Sequence, residues 1–128
     1  MRVGIDLMSV ADVEESVRVH AERYLRRVYT SRELRDCAKP GGTFDARRLA
    51  ARFAAKEAAL KVLRNADDPI PWHEIGVHSD VHGAPALELA GAAARAAARR
   101  GVEELSVSLT HEGPFAAAIV VATIKEEA

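Results

Sequence analysis

The sequence has 128 residues, 48% hydrophobic and 29% charged, a composition typical of a folded domain that excludes a mainly disordered chain. This length suffices for one hydrophobic core, so we expect a single domain over residues 1–128. A formal net charge of −1 argues against a general nucleic-acid binder, which usually carries a clear basic excess.

The single cysteine, Cys37, has no partner for an intramolecular disulfide or for a Cys-X-X-Cys zinc site, which suggests a reducing compartment. No stretch approaches the roughly 18 to 20 apolar residues of a membrane span, and the first residues lack the pattern of a secretory signal. We therefore expect a cytoplasmic protein that is not anchored in a membrane.

The pattern of apolar residues predicts an α+β fold in which a mainly antiparallel sheet packs with a long helix. A first strand is predicted over residues 2–8. Three helices are predicted to follow, over 9–30, 30–38 and 43–64, the last beginning at Thr43 or Asp45. Two hairpins separated by a short helix complete the chain, with strands at 73–79, 84–90, 102–111 and 114–124 and the helix at 91–101.

The long helix contains the stretch RFAAKEAALKV, residues 52–62, whose charged residues need an explanation. At about 100° per residue, Glu57 and Lys61 border an apolar seam formed with Phe53 and Leu60. One interpretation is an i,i+4 pair on a solvated face, worth about 0.3 to 0.5 kcal/mol. A second interpretation adds Asp6, which is costly to bury in an apolar strand unless it is paired or binds a cation.

Together, Asp6 and Glu57 would make an oxygen-lined site suited to Mg²⁺, which takes one or two carboxylates plus phosphate oxygens and water. Lys61, one turn beyond Glu57, would add a positive charge for a phosphate. His111, at the end of an apolar strand, is either a solvated turn residue or part of this site. The sequence has no glycine-rich nucleotide motif and no zinc-ligand spacing among its histidines. It therefore predicts a magnesium-diphosphate site built from side chains.

Four segments between residue 3 and about residue 122 carry a family resemblance, in the order GIDL, RFAAKEAALKVL, HGAP and SLTHEGPFAAAIVV. On these segments the chain resembles the holo-acyl-carrier-protein synthase branch of the 4′-phosphopantetheinyl transferases. Enzymes of that family use Mg²⁺ and coenzyme A. They move the 4′-phosphopantetheine arm to a serine of an apo acyl carrier protein and release adenosine 3′,5′-bisphosphate.

The resemblance implies roles for the matching residues. Asp6 and Glu57 are expected to hold Mg²⁺ on the coenzyme A diphosphate, and Lys61 completes the expected catalytic set by neutralising charge there. Contacts with coenzyme A are expected at Lys61, Arg52, Lys56, Gly83, Pro85 and His111. The base that takes the serine proton is either Glu57 itself or a water that Glu57 orients.

The resemblance also implies partners. Short members of the family usually form trimers with active sites at subunit interfaces, so we expect a homotrimer whose neighbouring subunit helps to bind coenzyme A. Because carrier proteins are acidic, a basic face for them is expected on the first helices. Its residues are Arg18, Arg23, Arg26 and Arg27. The alternative is a solvated helix face on which nearby glutamates balance these arginines.

Several positions depart from the family pattern, among them Ser9 and Glu112. Asp12 stands where a carrier-binding arginine is common, and Ala84 stands where the turn usually has a lysine. These departures keep open a non-catalytic, carrier-binding relative, and the carboxylates alone keep open a different Mg²⁺-dependent diphosphate enzyme. The retention of Asp6, Glu57, Lys61 and His111 favours an active transferase.

Overall fold

The computed structural model describes residues 1–63 and 69–125, and it confirms the predicted α+β architecture. The strands are β1 (Arg2–Ser9), β2 (Ile75–Ser79), β3 (Pro85–Leu89), β4 (Val102–Glu112) and β5 (Phe115–Ile124). The helices are α1 (Val10–Val28), α2 (Ser31–Cys37), α3 (Ala46–Leu63) and α4 (Gly91–Arg99), with a 3₁₀ turn at Trp72–Glu74. The predicted end of the long helix at Arg64 lies outside the described residues.

The strands form two antiparallel sheets rather than one. A three-stranded sheet has the order β1-β5-β4, and β2 pairs with β3 in a separate hairpin. In the larger sheet, β1 runs along β5 from Arg2 opposite Ala122 to Ser9 opposite Phe115. Among the described residues, no helix is long and apolar enough to cross a membrane.

The inner face of the larger sheet packs closely on α3. Gly4 makes this approach possible, because a Cβ at this position would lie 2.0 Å from the carbonyl oxygen of Ala58. Small buried side chains, among them Ala54 of α3 and Ala118 of β5, line the same contact. The close contact between β1 and α3 is what places Asp6 beside the charged residues of the helix.

Side-chain caps explain where the helices begin. Ser9 caps α1 by accepting a hydrogen bond from the amide of Asp12 at 3.3 Å. Asp45, rather than Thr43, caps α3, since its Oδ1 accepts hydrogen bonds from two amides of the first turn. The helix predicted over 9–30 ends at Val28 and is broken at Ala21, where φ is 45° and ψ is −122°. This break divides α1 into two helical segments.

Candidate functional site

The candidate site lies where β1 meets α3. The Lys61 ammonium lies 3.3 Å from Asp6 Oδ1 and donates a hydrogen bond to the backbone carbonyl of Ile5 at 2.7 Å. The Asp6 side chain keeps 19% of its surface exposed, and that of Lys61 keeps 56%. Lys61 therefore joins the strand to the helix at the protein surface, where a charged ligand can reach both side chains.

Glu57 lies one helical turn before Lys61, but its carboxylate is held by a different residue. Its Oε1 accepts a hydrogen bond from the indole Nε1 of Trp72 at 2.9 Å. Within residues 1–63 and 69–125, no ion pair joins Glu57 to Lys61, because Lys61 pairs with Asp6 instead. The interpretation of these charges as an i,i+4 pair on a solvated face is therefore wrong.

The donor set at this junction fits a magnesium ion. Asp6 and Glu57 each use one carboxylate oxygen in the hydrogen bonds described above, and the second oxygen of each accepts none from the described part of the chain. Hard carboxylate oxygens suit Mg²⁺, which commonly completes its coordination with phosphate oxygens and water. No group of three or more His, Cys, Asp or Glu side chains arranged to hold a metal occurs among those residues. A metal at this junction would therefore need oxygens from a ligand or from water.

Lys56 lies inside the protein rather than at the surface of the site. Its ammonium donates hydrogen bonds to Glu33 Oε1 at 2.7 Å, to the carbonyl of Trp72 at 3.2 Å, and to the carbonyl of Ile75. Burial lowers the pKa of Lys56, and the charge of Glu33 opposes that shift. Because the Lys56 side chain is completely buried, it offers no surface to coenzyme A, and we leave it out of the proposed contacts.

The partner of Lys56, Glu33, is a residue whose burial the sequence did not reveal. It forms the predicted capping box with Thr30 at the start of α2, and its carboxylate also accepts a hydrogen bond from the amide of Val77 at 3.1 Å. One carboxylate thus joins α2, α3 and β2. The spacing of Thr30 and Glu33 predicts the cap, but it carries no information about these contacts with α3 and β2.

A second group of predicted residues lines a cavity of about 370 Å³ between α3 and the β2–β3 hairpin. Arg52, Gly83 and Pro85 all line it, together with Arg48. Arg52 is only 8% exposed, and its Nε is buried without a hydrogen-bond partner among the described residues. Two arginines, one with an unpartnered guanidinium nitrogen, suit an anionic ligand such as a phosphate.

His111, the remaining predicted contact, is not among the residues that line this cavity. Leu109 of β4 lines the cavity, and His111 is two residues further along the same face of the strand, about 7 Å away. The strand continues to Glu112, and the turn consists of Gly113 and Pro114. His111 is exposed near the end of β4, so its side chain is accessible from solvent.

The structure does not bring the two groups together within one chain. Arg52 and Glu57 are five residues apart on α3, so they point about 140° apart around the helix axis. Asp6, Glu57 and Lys61 lie on one side of α3, whereas Arg52 faces the cavity on the other side. The predicted site residues therefore form two separate groups, on different sides of α3.

The predicted carrier-binding arginines also divide into two groups. Arg18 precedes the break at Ala21 and forms an exposed ion pair with Glu15 at 2.7 Å. The other three follow the break: Arg23 and Arg27 line one cavity with Trp72, while Arg26 and Arg27 line a second that also includes Trp72. Arg26 forms an exposed ion pair with a glutamate, an interaction worth only about 0 to 1 kcal/mol that leaves the arginine available to a partner.

Trp72 is the residue of this region that the sequence analysis missed. It is the only tryptophan in the chain, but it lies 15 residues from Glu57, and no local spacing links the two positions. Its contact with α3 depends on the tertiary fold, which places Trp72, just before β2, beside Glu57. The sequence draws attention to Trp72 only as its single tryptophan, and this does not predict which residue it contacts.

Comparisons with known proteins agree with this fold. A family model described as the 4′-phosphopantetheinyl transferase superfamily matches residues 2–120. The holo-[acyl-carrier-protein] synthase of Chloroflexus aurantiacus is 42% identical to this chain, covering 93% of it and 95% of the relative. The holo-[acyl-carrier-protein] synthase of Halothermothrix orenii is 38% identical, covering 93% and 94%.

Solved structures give the same result. The acyl carrier protein synthase of Mycobacterium tuberculosis matches with a TM-score of 0.73 and 39% identity, and the match covers 96% of each chain. The holo-[acyl-carrier-protein] synthase of Helicobacter pylori, solved in complex with coenzyme A, matches with a TM-score of 0.80 and 27% identity, covering 95% of this chain and all of the other. Because the family model and these relatives each span nearly the whole sequence, the chain belongs to the 4′-phosphopantetheinyl transferase superfamily.

Proposed function

We propose that this chain transfers the 4′-phosphopantetheine arm of coenzyme A to a serine of an apo acyl carrier protein, with Mg²⁺ held by Asp6 and Glu57. The products are the holo carrier protein and adenosine 3′,5′-bisphosphate. Relatives named holo-[acyl-carrier-protein] synthase, one of them solved with coenzyme A, support this reaction. The observation that carries the site assignment is the pairing of Lys61 with Asp6, one helical turn from Glu57. The buried free thiol of Cys37 fits the reducing cytoplasm, the compartment that we propose.

In the reaction, the serine oxygen forms a bond to the phosphorus that carries the pantetheine. The bond from that phosphorus to the bridging oxygen breaks, and the bridging oxygen leaves with adenosine 3′,5′-bisphosphate. When bound, Mg²⁺ would withdraw negative charge from the diphosphate oxygens. Lys61, exposed beside Asp6, supplies a second positive charge where the leaving group becomes more negative. Glu57 is positioned to take the serine proton, either directly or through a water that it orients.

The cavity beside Arg52 is the proposed site for the remaining phosphate and the adenosine of coenzyme A. Arg52 and Arg48 both line it, so their guanidinium groups supply positive charge for a phosphate. Gly83 and Pro85 line the wall formed by the β2–β3 hairpin, and Leu109, two residues before His111 on β4, also lines the cavity. Since this cavity and the Asp6–Glu57 site lie on different sides of α3, we propose that coenzyme A binds between two subunits of a homotrimer.

The outer face of the larger sheet supports association between chains. Val3, Ile5 and Leu7 of β1 are each more than half exposed, and Phe115 and Ile119 of β5 are partly exposed beside them. The strand register places Ile5 opposite Ile119, so these side chains form one continuous apolar face. A face of this kind on the surface of a single chain usually marks an interface with another chain.

The arginines that follow the break in α1 are the proposed docking site for the acidic carrier. Reversing the charge of Arg23 should raise the KM for the carrier and leave the KM for coenzyme A unchanged, because steering by charge acts on the charged partner. The matched control is Arg95→Glu on α4, which is also an exposed arginine. Equal effects of Arg23→Glu and Arg95→Glu would remove α1 from the docking site.

Intact-mass spectrometry tests the activity directly. Apo carrier protein, coenzyme A and Mg²⁺ are incubated with the enzyme, and transfer adds about 340 Da, the mass of one phosphopantetheine group. EDTA and Glu57→Gln should each abolish the shift, whereas Glu103→Gln, at an exposed glutamate on β4, should leave it intact. Binding of the carrier without any mass shift would identify a non-catalytic relative instead.

Mixing two inactive variants tests the site between subunits. Glu57→Gln and Arg52→Gln remove opposite halves of the proposed site, and each variant is first checked for folding by circular dichroism. In trimers formed by random exchange, about a quarter of the interfaces, one half times one half, would combine an intact Glu57 with an intact Arg52. Recovery of activity in the mixture is expected. No recovery, from variants that are each folded and able to exchange, would place the whole site within one chain.

A further inference from the structure

Trp72 holds one oxygen of the carboxylate at the centre of the candidate site. Its indole Nε1 donates to Glu57 Oε1 at 2.9 Å, and an indole N–H can only donate. The bond is charge-assisted when Glu57 is ionised, which makes it stronger than a bond between neutral groups. Glu57 has several rotatable bonds, and this contact restricts the orientations of its carboxylate.

The position of Trp72 is itself fixed by contacts with α3. The ring packs edge-on against Phe53, with centroids 5.5 Å apart and planes at 80°. At the backbone, the carbonyl of Trp72 accepts a hydrogen bond from the buried ammonium of Lys56 at 3.2 Å. Phe53, Lys56 and Glu57 thus contact the ring, the backbone and the indole N–H of one residue, so Trp72 is held against α3 at three points.

On its other side, Trp72 contacts the basic part of α1. The guanidinium carbon of Arg27 lies 5.8 Å from the centroid of the Trp72 ring, within the range of a cation–π interaction. Arg27 is exposed and is one of the proposed carrier-binding residues. Trp72 therefore lies between the surface on which the carrier would dock and the carboxylate that would act on its serine.

We propose that Trp72 is a positioning residue for the transfer reaction, acting through Glu57. By holding Oε1, it keeps Glu57 away from Lys61 and leaves Oε2 available for the metal or for the serine proton. Lys61 then remains paired with Asp6, as the structure has it. This inference rests on the proposed assignment of Glu57 to the site. Residues that orient a metal ligand typically contribute about 10- to 100-fold to metal affinity or activity.

The first variant is Trp72→Phe, which keeps an aromatic ring against Phe53 and removes the indole N–H. We expect kcat to fall about 10- to 100-fold, with less than a threefold change in the KM for coenzyme A. In the absence of carrier, binding of Mg²⁺ to the enzyme with coenzyme A, followed by calorimetry, should also weaken. A purely structural role would instead lower the urea midpoint and leave Mg²⁺ affinity unchanged in the folded fraction.

A spectroscopic measurement keeps Trp72 in place and therefore does not depend on the folding of a tryptophan variant. Because the chain has one tryptophan, ¹⁵N-tryptophan labelling gives a single indole N–H signal. Glu57→Gln should shift this signal and speed its exchange with solvent, because a neutral amide is a weaker acceptor than a carboxylate. The matched control, Glu103→Gln, should leave the signal unchanged.

The outcomes separate the two proposals. If Glu57→Gln abolishes transfer while Trp72→Phe matches the wild type within twofold, the positioning role is wrong and the proposed function stands. An indole signal that does not respond to Glu57→Gln would also overturn the positioning role. If Glu57→Gln itself transfers at the wild-type rate, the site assignment fails, and the role of Trp72 fails with it.

Discussion

Lys56→Met tests whether the buried ion pair with Glu33 is a structural requirement of this fold. Methionine keeps a long unbranched side chain in the same space but removes the ammonium and its three hydrogen bonds. The Glu33 carboxylate would then remain completely buried, and its donors in the described part of the chain would be the amides of Thr30 and Val77. The carbonyls of Trp72 and Ile75 would each lose the donor that Lys56 provides.

The expected loss in free energy of unfolding follows from the charge and the carbonyls that Lys56→Met leaves unpaired. Removing one partner of a buried ion pair typically costs about 3 to 5 kcal/mol, because the other charge is left without compensation. A small domain has a free energy of unfolding of about 5 to 15 kcal/mol, so this loss would be between about a fifth and the whole of that stability. The double variant Glu33→Gln/Lys56→Met removes the uncompensated charge. It should therefore be more stable than Lys56→Met alone, by about 1 to 3 kcal/mol.

The assay is urea unfolding followed by far-ultraviolet circular dichroism, at one protein concentration because association between chains shifts apparent stability. Lys39→Met, at an exposed lysine, is the matched control and should change stability by less than about 0.5 kcal/mol. A Lys56→Met protein within 1 kcal/mol of the wild type would refute the reasoning. So would a double variant that is no more stable than Lys56→Met.

Three further predictions concern other parts of the fold. Gly4→Ala should lower the free energy of unfolding by about 3 kcal/mol or more in urea titrations, because its Cβ would lie 2.0 Å from a backbone oxygen of α3. A change below about 1 kcal/mol would contradict this close contact. Burial raises the pKa of the Cys37 thiol from 9.0 to about 11, so the unfolded chain loses this proton at a lower pH than the folded chain does. The free energy of unfolding should therefore fall between pH 9 and 11, and more steeply in the wild type than in Cys37→Ala. Equal slopes would show that the thiol is not shielded. Ile5→Asp should dissociate the proposed homotrimer in light-scattering measurements, whereas Val81→Asp, at a residue 94% exposed on a turn, should not. An intact homotrimer of Ile5→Asp would exclude the outer face of the larger sheet as the interface.

The strands, the order of the elements and the caps could be predicted because their signals are local. Thr30 and Glu33 are three residues apart, and the strand residues of β4 and β5 flank a turn of two residues. The break at Ala21 carries no such signal, because alanine is the strongest helix former and here adopts a positive φ. The sequence around it therefore predicts an uninterrupted helix.

The candidate site could be predicted only in part. Asp6 and Glu57 were predicted to meet because each is out of place in an apolar element, and the resemblance to a family placed them together. The sequence does not predict which charged residues of α3 are buried, because alanines occur on all sides of this helix and its apolar residues do not define one face. The partners of Lys56 and Glu57 come from α2 and from the turn before β2, at separations of 23 and 15 residues.

The two lysines of α3 have different roles, because one is buried in the protein and the other is exposed at the candidate site. Lys56 and Lys61 are five residues apart, yet the side chain of Lys56 has no exposed surface and that of Lys61 is 56% exposed. Burial lowers the pKa of Lys56, and its hydrogen bonds to Glu33 and two carbonyls leave no donor for a ligand. Within the described residues, Lys61 uses its ammonium at the edge of β1, where a diphosphate can approach it. If Lys61→Ala loses transfer with an unchanged urea midpoint, while Lys56→Met lowers the urea midpoint, the two roles divide as the burial of the two side chains predicts.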